Sequence, residues 1–371
     1  MHGGCLASKA PIAFIKFLQC GGKMRLMRFV FAGVIVVLLI IAGGVYYLYP
    51  TLYGIVPDSS NTPRLSDLAN TAPSENSGSA SSQRAEDIPA ETIIVEGLDT
   101  PWAIGFLPSG DMMVTERKGT VRLVDKNGKL QENPIATLEK VKEAGEGGLL
   151  GMALHPEFVS NNFVYFYYTY NSTGDNTLNR IVRVKYSGGK FSEEQTIVDA
   201  IPGASNHNGG RIRFGPDNYL YITTGDAQEP SLAQDKNSLA GKILRVTDEG
   251  KLAPGNPFNN EVYSLGHRNP QGIAWDASGN LWETEHGPSG GSLGTGNDEV
   301  NFILAGSNYG WSVIQGDQTG SGMVTPVKNS TPSTSWAPGG TEIIGNNLFF
   351  SGLRGQALYT CLLYTSDAAD E

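Results

Sequence analysis

The chain has 371 residues, with 27 Lys and Arg against 37 Asp and Glu, and a formal net charge of −10. A nucleic-acid binder needs a basic face, so this balance argues against nucleic acid as a partner. Glycine contributes 47 residues, well above its usual share of about 7%, and so many turns favour short strands over a helical bundle. The cysteines are Cys5, Cys20 and Cys361, so the middle of the chain holds neither a disulfide nor a thiolate metal site.

The N-terminal region predicts a membrane anchor. Residues 29–49 carry no charge and are long enough to cross a bilayer as one helix. Basic residues at the end of the leader, residues 1–28, precede this run and no basic cluster follows it. The N-terminus is therefore predicted to be cytoplasmic and the rest of the chain periplasmic or extracellular. A cleaved signal peptide is the alternative, although the apolar run is long and residues 42–44 form a poor cleavage site.

Residues 50–90 predict a flexible linker. The segment is rich in Ser, Asn, Pro, Ala and Gly and has few large apolar residues, so it cannot bury enough surface to offset the entropy of ordering. It would tether the anchor to a folded domain, residues 91–360, which is followed by a short tail, residues 361–371.

A pattern recurs four times beyond residue 90: an apolar pair, a Pro or Asp turn, and a short strand of apolar and aromatic residues. The turn residues are Pro108, Pro156, Pro216 and Asp276, separated by 48, 60 and 60 positions. This period matches one four-stranded β-propeller blade with its loops, whereas a β-sandwich would show evenly spaced turns without a long repeat. The repeat predicts an all-β propeller in which successive blades contribute to one axial site.

Two loops carry candidate chemistry. His207, with Asn206 before it and a glycine pair shortly after, would present a neutral imidazole able to act as a general base. Arg268 and Asn269 place a fixed cation beside an amide donor, a pair suited to stabilising negative charge on a carbonyl or quinone oxygen. Taken alone, each motif is also compatible with a structural role. Structural or turn roles are predicted for His155, His267, Asp217 and Asp226.

The motif EHGP at 285–288, followed by a glycine-rich stretch and DEVN at 298–301, predicts a metal site. Carboxylates and exposed Gly and Pro carbonyls are hard oxygen ligands of the kind that calcium prefers. No cysteine or paired-histidine motif competes for a softer metal.

Together these motifs resemble those of the soluble quinoprotein glucose dehydrogenases and aldose sugar dehydrogenases, the glucose/sorbosone dehydrogenase family. GHRNPQG following NHNGGR is a highly specific combination. The matching stretches lie in family order: 97–117, GEGGLLGMALHPEF (145–158), NHNGGRIRFGPDNYLYITTGD (206–226), LAGKILRV (239–246), YSLGHRNPQGIAWD (263–276), EHGP, DEVN and SNYGW (307–311).

The resemblance implies a six-bladed propeller that oxidises aldose sugars at C1 to lactones, with pyrroloquinoline quinone (PQQ) and calcium on its axis. His207 would take the proton of the C1 hydroxyl while hydride passes to the quinone, and an external acceptor, not identified by the sequence, would receive the electrons. Arg268 and Asn269 would polarise the quinone. Further contacts to the cofactor are implied for Glu146, Asn206 and Arg354.

Two calcium sites are implied by the same resemblance. The carbonyls of Gly287 and Pro288 would hold the calcium that binds the cofactor. A second, structural calcium would be held by Asp298, Glu299 and Tyr309.

The chain departs from the family pattern in two places. Residues 289–297 form a longer link than the family's short glycine link, which alters the loop leading to the second calcium site. Beyond Arg354 the family continues with a further arginine-bearing segment and a closing strand, and the tail 361–371 does not match it. We therefore expect a truncated last blade with an unpaired edge, low stability and weak quinone binding.

Two other functions remain open at this level. A calcium-dependent propeller hydrolase of the lactonase type would share the fold, since fold alone does not determine function. A propeller ectodomain that only binds carbohydrate or protein is the second, although it has no need of His207, Arg268 and Asn269 together.

Overall fold

The computed structural model describes residues 93–173, 176–290 and 295–364, together with the backbone of a short strand at 6–8. Strands dominate these residues, which include one helical turn, α1 (Phe158–Asn161), and one 3-10 turn (Pro230–Ala233). In the described part, no helix is long and apolar enough to span a bilayer. Apart from the strand at 6–8, the predicted leader, anchor and linker lie outside the described residues.

The strands form five four-stranded antiparallel sheets, the blades of a β-propeller. In blades 1 to 4 each strand pairs with the next strand in the chain. Blade 1 contains β2 (Pro101–Phe106), β3 (Met112–Glu116), β4 (Thr120–Val124) and β5 (Ala136–Thr137). Blade 2 contains β6 (Leu149–Leu154), β7 (Phe163–Asn171), β8 (Thr177–Ser187) and β9 (Lys190–Pro202).

Blades 3 and 4 repeat this meander, and blade 5 varies it. Blade 3 contains β10 (Ile212–Phe214), β11 (Leu220–Thr224), β12 (Lys242–Val246) and β13 (Val262–Leu265). Blade 4 contains β14 (Pro270–Trp275), β15 (Leu281–Glu285), β16 (Glu299–Ile303) and β17 (Lys328–Asn329). Blade 5 contains β18 (Pro338–Ile344), β19 (Asn347–Gly352), β20 (Ala357–Leu362) and, paired with β20, β1 (Leu6–Ser8).

The core lies between neighbouring blades. Tyr165 and Tyr167 of blade 2, for example, pack with Ile212 and Ile222 of blade 3, and all four are fully buried. Similar apolar clusters join blades 1 and 2, blades 3 and 4, and blades 4 and 5. Because a blade is covered on both faces, β3, β11, β12 and β15 are buried at every position instead of alternating. Each fully buried large apolar side chain contributes roughly 1.5–3 kcal/mol.

The predicted repeat is confirmed at the hairpins between first and second strands. The amides of Gly110, Asn218 and Gly279 donate to Leu107, Gly215 and Asp276 at 2.9–3.0 Å, which closes equivalent turns in blades 1, 3 and 4. Gly110 and Asn218 take positive φ there, at 87° and 62°, where glycine and asparagine are tolerated best.

The propeller class is confirmed, with five blades in the described residues where six were expected. Blade 5 has four strands, because β1 pairs with β20, and truncation of a sixth blade stays a prediction. β20 runs to Leu362, and Cys361, which was placed in the tail, is 5% exposed in the blade 5 core. Ala357, Tyr359 and Cys361 alternate towards the core, as a strand with one buried face requires.

First strands of successive blades lie side by side: β2 beside β6, β6 beside β10, and β14 beside β18. Blades 3 and 4 meet through β11 and β14. The loops that precede β10 and β14 approach one another, since the Gly209 N–H of one donates to Asn269 Oδ1 of the other, although an entire blade separates them in sequence. These two loops carry the candidate residues His207 and Arg268.

Candidate active site

His207 lies in the loop before β10, with φ of 61°. Its backbone N–H donates to Oε2 of Glu146 at 3.0 Å, which ties the loop to blade 2. Its ring Nδ1 lies 2.7 Å from Oδ1 of Asp226, a fully buried residue. An ionised carboxylate only accepts hydrogen bonds, so Nδ1 carries the proton and Nε2 keeps its lone pair.

Asp226 is itself held by three hydrogen bonds. Trp311 Nε1 donates to Oδ2 at 2.7 Å, and the backbone N–H of Gln228 donates to Oδ1 at 2.8 Å. The Asp226 N–H donates to the Arg268 carbonyl at 2.8 Å. These contacts leave the carboxylate one orientation, with Oδ1 directed at the imidazole.

Asp226 does open a turn, as predicted, since its carbonyl accepts the Glu229 N–H at 3.0 Å. The contact of its side chain with His207 was not predicted. The β10–β11 register pairs Ile212 with Ile222, so the residues just before β10 and just after β11 are neighbours. The sequence alone does not give this register, so the contact between His207 and Asp226 was missed. Trp311, quoted for its family motif without a role, was missed as well, because its contact with Asp226 joins positions 85 residues apart.

Arg268 supplies a buried cation next to this pair. It is 7% exposed, its N–H donates to Oε2 of Glu285 at 2.6 Å, and its Nη1 donates to the carbonyl of His286 at 3.2 Å. The guanidinium lies 5.4 Å from the ring centroid of Trp311. Burial lowers the pKa of Arg268, while the carboxylates of Asp226 and Glu285 oppose that shift. A guanidinium remains charged in such surroundings.

His207 and Arg268 both line one open cavity of about 210 Å³. Its wall thus combines an imidazole, a cation and the indole of Trp311, and one carboxylate, Asp226. The residues lining it are His207, Asp226, Gln228, Pro230, Arg268, Pro288, Ser289, Gly290 and Trp311. The prediction that two loops from different blades bring His207 and Arg268 together is confirmed.

The other residues predicted to contact a cofactor lie outside the lining of this cavity. Asn269 is 1% exposed and its Oδ1 accepts the Gly209 N–H at 3.0 Å, so it supports the loop that carries His207. Asn206 donates its backbone N–H to Gln228 Oε1 at 3.2 Å. Arg354 lies exposed in the turn between β19 and β20. Their roles, and that of Glu146, stay predictions.

The residues predicted to bind the cofactor's calcium lie at the cavity edge. Pro288 lines the cavity, and Gly287 donates its N–H to Oδ1 of Asp298 at 2.9 Å. A side chain at Gly287 would clash with the carbonyl oxygens of Gly296 and Asn297. Two carbonyl oxygens thus lie close to the backbone at Gly287.

The residues predicted to bind the second calcium are only partly free to bind a metal. Asp298 is 2% exposed, and its Oδ2 accepts hydrogen bonds from the Ser335 hydroxyl and from the N–H groups of Trp336 and Ala337. Glu299 accepts the Gly316 N–H at 3.0 Å, and burial raises the pKa of Glu299 to about 8. A cavity of about 10 Å³, lined in part by Glu285, Glu299 and Tyr309, has room for one ion or water.

Comparison with known proteins assigns the family. The sequence profile described as Glucose / Sorbosone dehydrogenase matches residues 98–367. The chain belongs to the glucose/sorbosone dehydrogenase family. The resemblance read from the motifs is thereby confirmed, and the family is one of oxidoreductases.

Curated relatives are about one third identical to this family member over the aligned residues. It is 35% identical to the aldose sugar dehydrogenase YliI of Escherichia coli, over 63% of this chain and 64% of the relative. It is 30% identical to quinoprotein glucose dehydrogenase B of Acinetobacter calcoaceticus, over 62% of this chain and 54% of the relative. The chain thus spans less than two thirds of these two relatives.

Solved structures agree with this assignment. A putative glucose dehydrogenase of Thermus thermophilus is 45% identical, with a TM-score of 0.69 over 74% of this chain and 83% of its own. The PQQ-bound form of the aldose sugar dehydrogenase of Streptomyces coelicolor is 40% identical, with a TM-score of 0.67 over 75% of this chain and 81% of its own.

Proposed function

We propose that this family member oxidises aldose sugars at C1 to the lactone, with PQQ and calcium, and passes the electrons to an external acceptor. The observation that carries the proposal is the His207–Asp226 pair facing the same cavity as the buried Arg268. The named relatives, an aldose sugar dehydrogenase and a PQQ-bound structure, support the choice of substrate and cofactor.

The cavity chemistry suits PQQ, a planar anionic quinone. The Arg268 guanidinium donates to a neutral carbonyl and, among the described residues, to no carboxylate, so its charge is available to an anionic ligand. The indole of Trp311 adds a flat surface beside it. When bound, PQQ would supply the acceptor for the hydride, which carries both electrons of the oxidation.

His207 would act on the sugar as general base. With Nδ1–H held by Asp226, the Nε2 lone pair is free to accept the proton of the C1 hydroxyl. Asp226 then stabilises the imidazolium that forms, without itself taking the proton. Arg268 would stabilise negative charge that develops next to it in the cavity.

Calcium at Gly287 and Pro288 is supported by the two carbonyl oxygens close to Gly287. A second calcium between Glu299 and Tyr309 is supported by the small cavity there. Because Asp298 already accepts several hydrogen bonds, we place it as the residue that shapes the calcium loop, through Gly287 N–H and Trp336 N–H.

We also propose that the domain is attached to a membrane. The apolar segment 29–49 would anchor it in the cell membrane with the propeller on the extracytoplasmic side.

The six-bladed ring implied by the family resemblance is retained as a proposal. It is supported by Ile104 and Phe106 on β2, which are 47% and 38% exposed and form the kind of face that a neighbouring blade covers.

The test uses the full chain with calcium and saturating PQQ, after a binding titration with PQQ. Dye reduction should follow glucose or another aldose, and His207→Asn should lower kcat by roughly 10²–10⁴-fold while PQQ still binds. His155→Asn, which changes a histidine outside the cavity, is the control. No reduction with any aldose, or a His207→Asn variant as active as the wild type, would contradict the proposal.

A lactonase-type hydrolase is less consistent with this cavity. Such a site needs several carboxylate or amide ligands converging on one metal. Among the described lining residues the single carboxylate is Asp226, and both its oxygens are engaged by His207 and Trp311.

A further inference from the structure

A buried polar cluster lies in blade 4, next to Arg268 and outside the lining of the 210 Å³ cavity. His267, Glu283 and Asn301 are fully buried and Glu285 is 3% exposed. The two glutamates lie on β15 and Asn301 lies on β16. The proposed oxidation of sugars uses none of these side chains directly.

Three polar atoms of this cluster lack a hydrogen-bond partner in the described part of the chain. They are Nδ1 of His267, Oε1 of Glu283 and Oδ1 of Asn301. The His267 ring is held by Ser264 Oγ, 2.9 Å from Nε2, and by stacking on Tyr309. Its Nδ1 is therefore directed into the cluster, 3.4 Å from Oε1 of Glu285.

The carboxylates of the cluster also outnumber the hydrogen-bond donors of Asn301. Nδ2 of Asn301 lies within hydrogen-bond range of Glu283, Glu285 and Glu299, at 3.0, 3.4 and 3.2 Å, yet it has two hydrogens for three carboxylates. No Lys or Arg side chain among the described residues donates to these three groups. Buried carboxylates at such density require added protons or a bound cation.

The ligand atoms are spaced for one ion. One atom each from His267, Glu283 and Glu285 lies within 4.8 Å of the others. Atoms placed about 2.0–2.2 Å from a shared zinc-sized ion are at most roughly 4.4 Å apart, so a small adjustment brings all three into range. Half a turn of the Asn301 amide would present its unpartnered Oδ1 to the same ion.

We propose that His267, Glu283 and Glu285 bind a first-row divalent cation, Zn²⁺ or Mn²⁺, as a structural site beside the second calcium position, whose cavity Glu285 also lines. An imidazole nitrogen with carboxylate oxygens favours these ions, whereas calcium prefers oxygen ligands alone. Glu285 also accepts the Arg268 N–H, so the ion would hold the strand end that positions Arg268. This proposal does not rest on the sugar dehydrogenase activity.

The test measures metal content of the full chain by mass spectrometry, after expression in medium containing both metals and purification without chelator. We expect about one equivalent of zinc or manganese per chain, counted separately from calcium. His267→Gln and Glu283→Gln should each lose most of it. His155→Gln, at a histidine outside the cluster, should keep it.

A second measurement covers the case in which the variants fail to fold. Wild-type chain stripped with dipicolinate should take up Co²⁺ with visible d–d absorption bands, and Zn²⁺ or Mn²⁺ should raise its Tm in the absence of PQQ. A wild-type chain that holds calcium alone and shows neither response would overturn the proposal. Zinc or manganese retained in folded His267→Gln and Glu283→Gln would overturn it too.

Discussion

His207 and Asp226 are 19 residues apart in the chain, and a 2.7 Å hydrogen bond joins them across the β10–β11 hairpin. The bond determines which ring nitrogen carries the proton and so makes His207 suitable as a base. Trp311 extends the same arrangement to blade 4, since its indole contacts both Asp226 and the Arg268 guanidinium.

Replacing Asp226 by Asn tests the role of the carboxylate. The amide has nearly the same size but can donate to Nδ1, which would leave the proton on Nε2 and remove the base. We expect kcat to fall by about 10³-fold or more with little change in PQQ binding. Stopped-flow dye reduction measures kcat, and Asp125→Asn, at a half-buried turn of blade 1 outside the cavity, is the control. An Asp226→Asn variant within twofold of the wild type would refute this role.

Trp311→Phe tests the orientation of Asp226. The phenyl ring keeps an aromatic group beside Arg268, but the hydrogen bond to Oδ2 of Asp226 is lost. We expect kcat to fall by roughly tenfold with an unchanged KM, as for one lost bond to a charged group of about 1.5 kcal/mol. Steady-state kinetics measure kcat and KM, and near-UV circular dichroism is the control for folding. Loss of PQQ binding at unchanged kcat would instead make Trp311 a platform for the cofactor.

At the scale of elements, strand register explains why polar residues gather in blade 4. Glu283 pairs with Asn301 and Glu285 pairs with Glu299 across the β15–β16 ladder. Because side chains alternate along a strand, these four lie on one face, and both faces of β15 are buried. The motifs E-x-E at 283–285 and E-x-N at 299–301 thus supply the residues of the cluster. These residues come together only when the two strands pair.

The loop between β11 and β12 depends on one buried lysine. Lys242 is fully buried, and its Nζ donates to the carbonyls of Leu232, Ala233 and Ala240 at 2.6–3.0 Å. Lys242→Met would leave these carbonyls without their donor, so we expect the unfolding free energy to fall by about 2–5 kcal/mol. Urea denaturation measures this, and Lys236→Met, a lysine exposed in the same loop, should have little effect.

The same lysine predicts a pH dependence. Burial lowers the pKa of Lys242 from 10.5 to about 7. Between these values the unfolded chain binds more protons at this position than the folded chain does, so the stability of the fold rises with pH across that window. Urea denaturation at pH 7 and pH 9.5 should show a larger increase for the wild type than for Lys242→Met. Equal increases would exclude Lys242 as the source.

At the scale of the whole molecule, the two proposed calcium ions would link the loops at the cavity to the packed blades 4 and 5. Chelation of calcium should lower the Tm, and excess calcium should restore it, because a ligand at 100 times its Kd stabilises the folded state by about 2.7 kcal/mol. Differential scanning fluorimetry with a calcium-selective chelator measures this. A Tm that does not respond to calcium would remove both positions from the proposal.

The sequence alone determined the family, the all-β propeller and the two loops that matter, because the blade period and the motifs NHNGGR and GHRNPQG are local patterns. It also placed His207 and Arg268 correctly in one site. Tertiary structure decided the Asp226 and Trp311 contacts, the exposed position of Arg354 and the five described blades with β1 in the last. These depend on strand register and on pairing between distant segments, and side chains that meet across 19 to 85 residues leave no local signal.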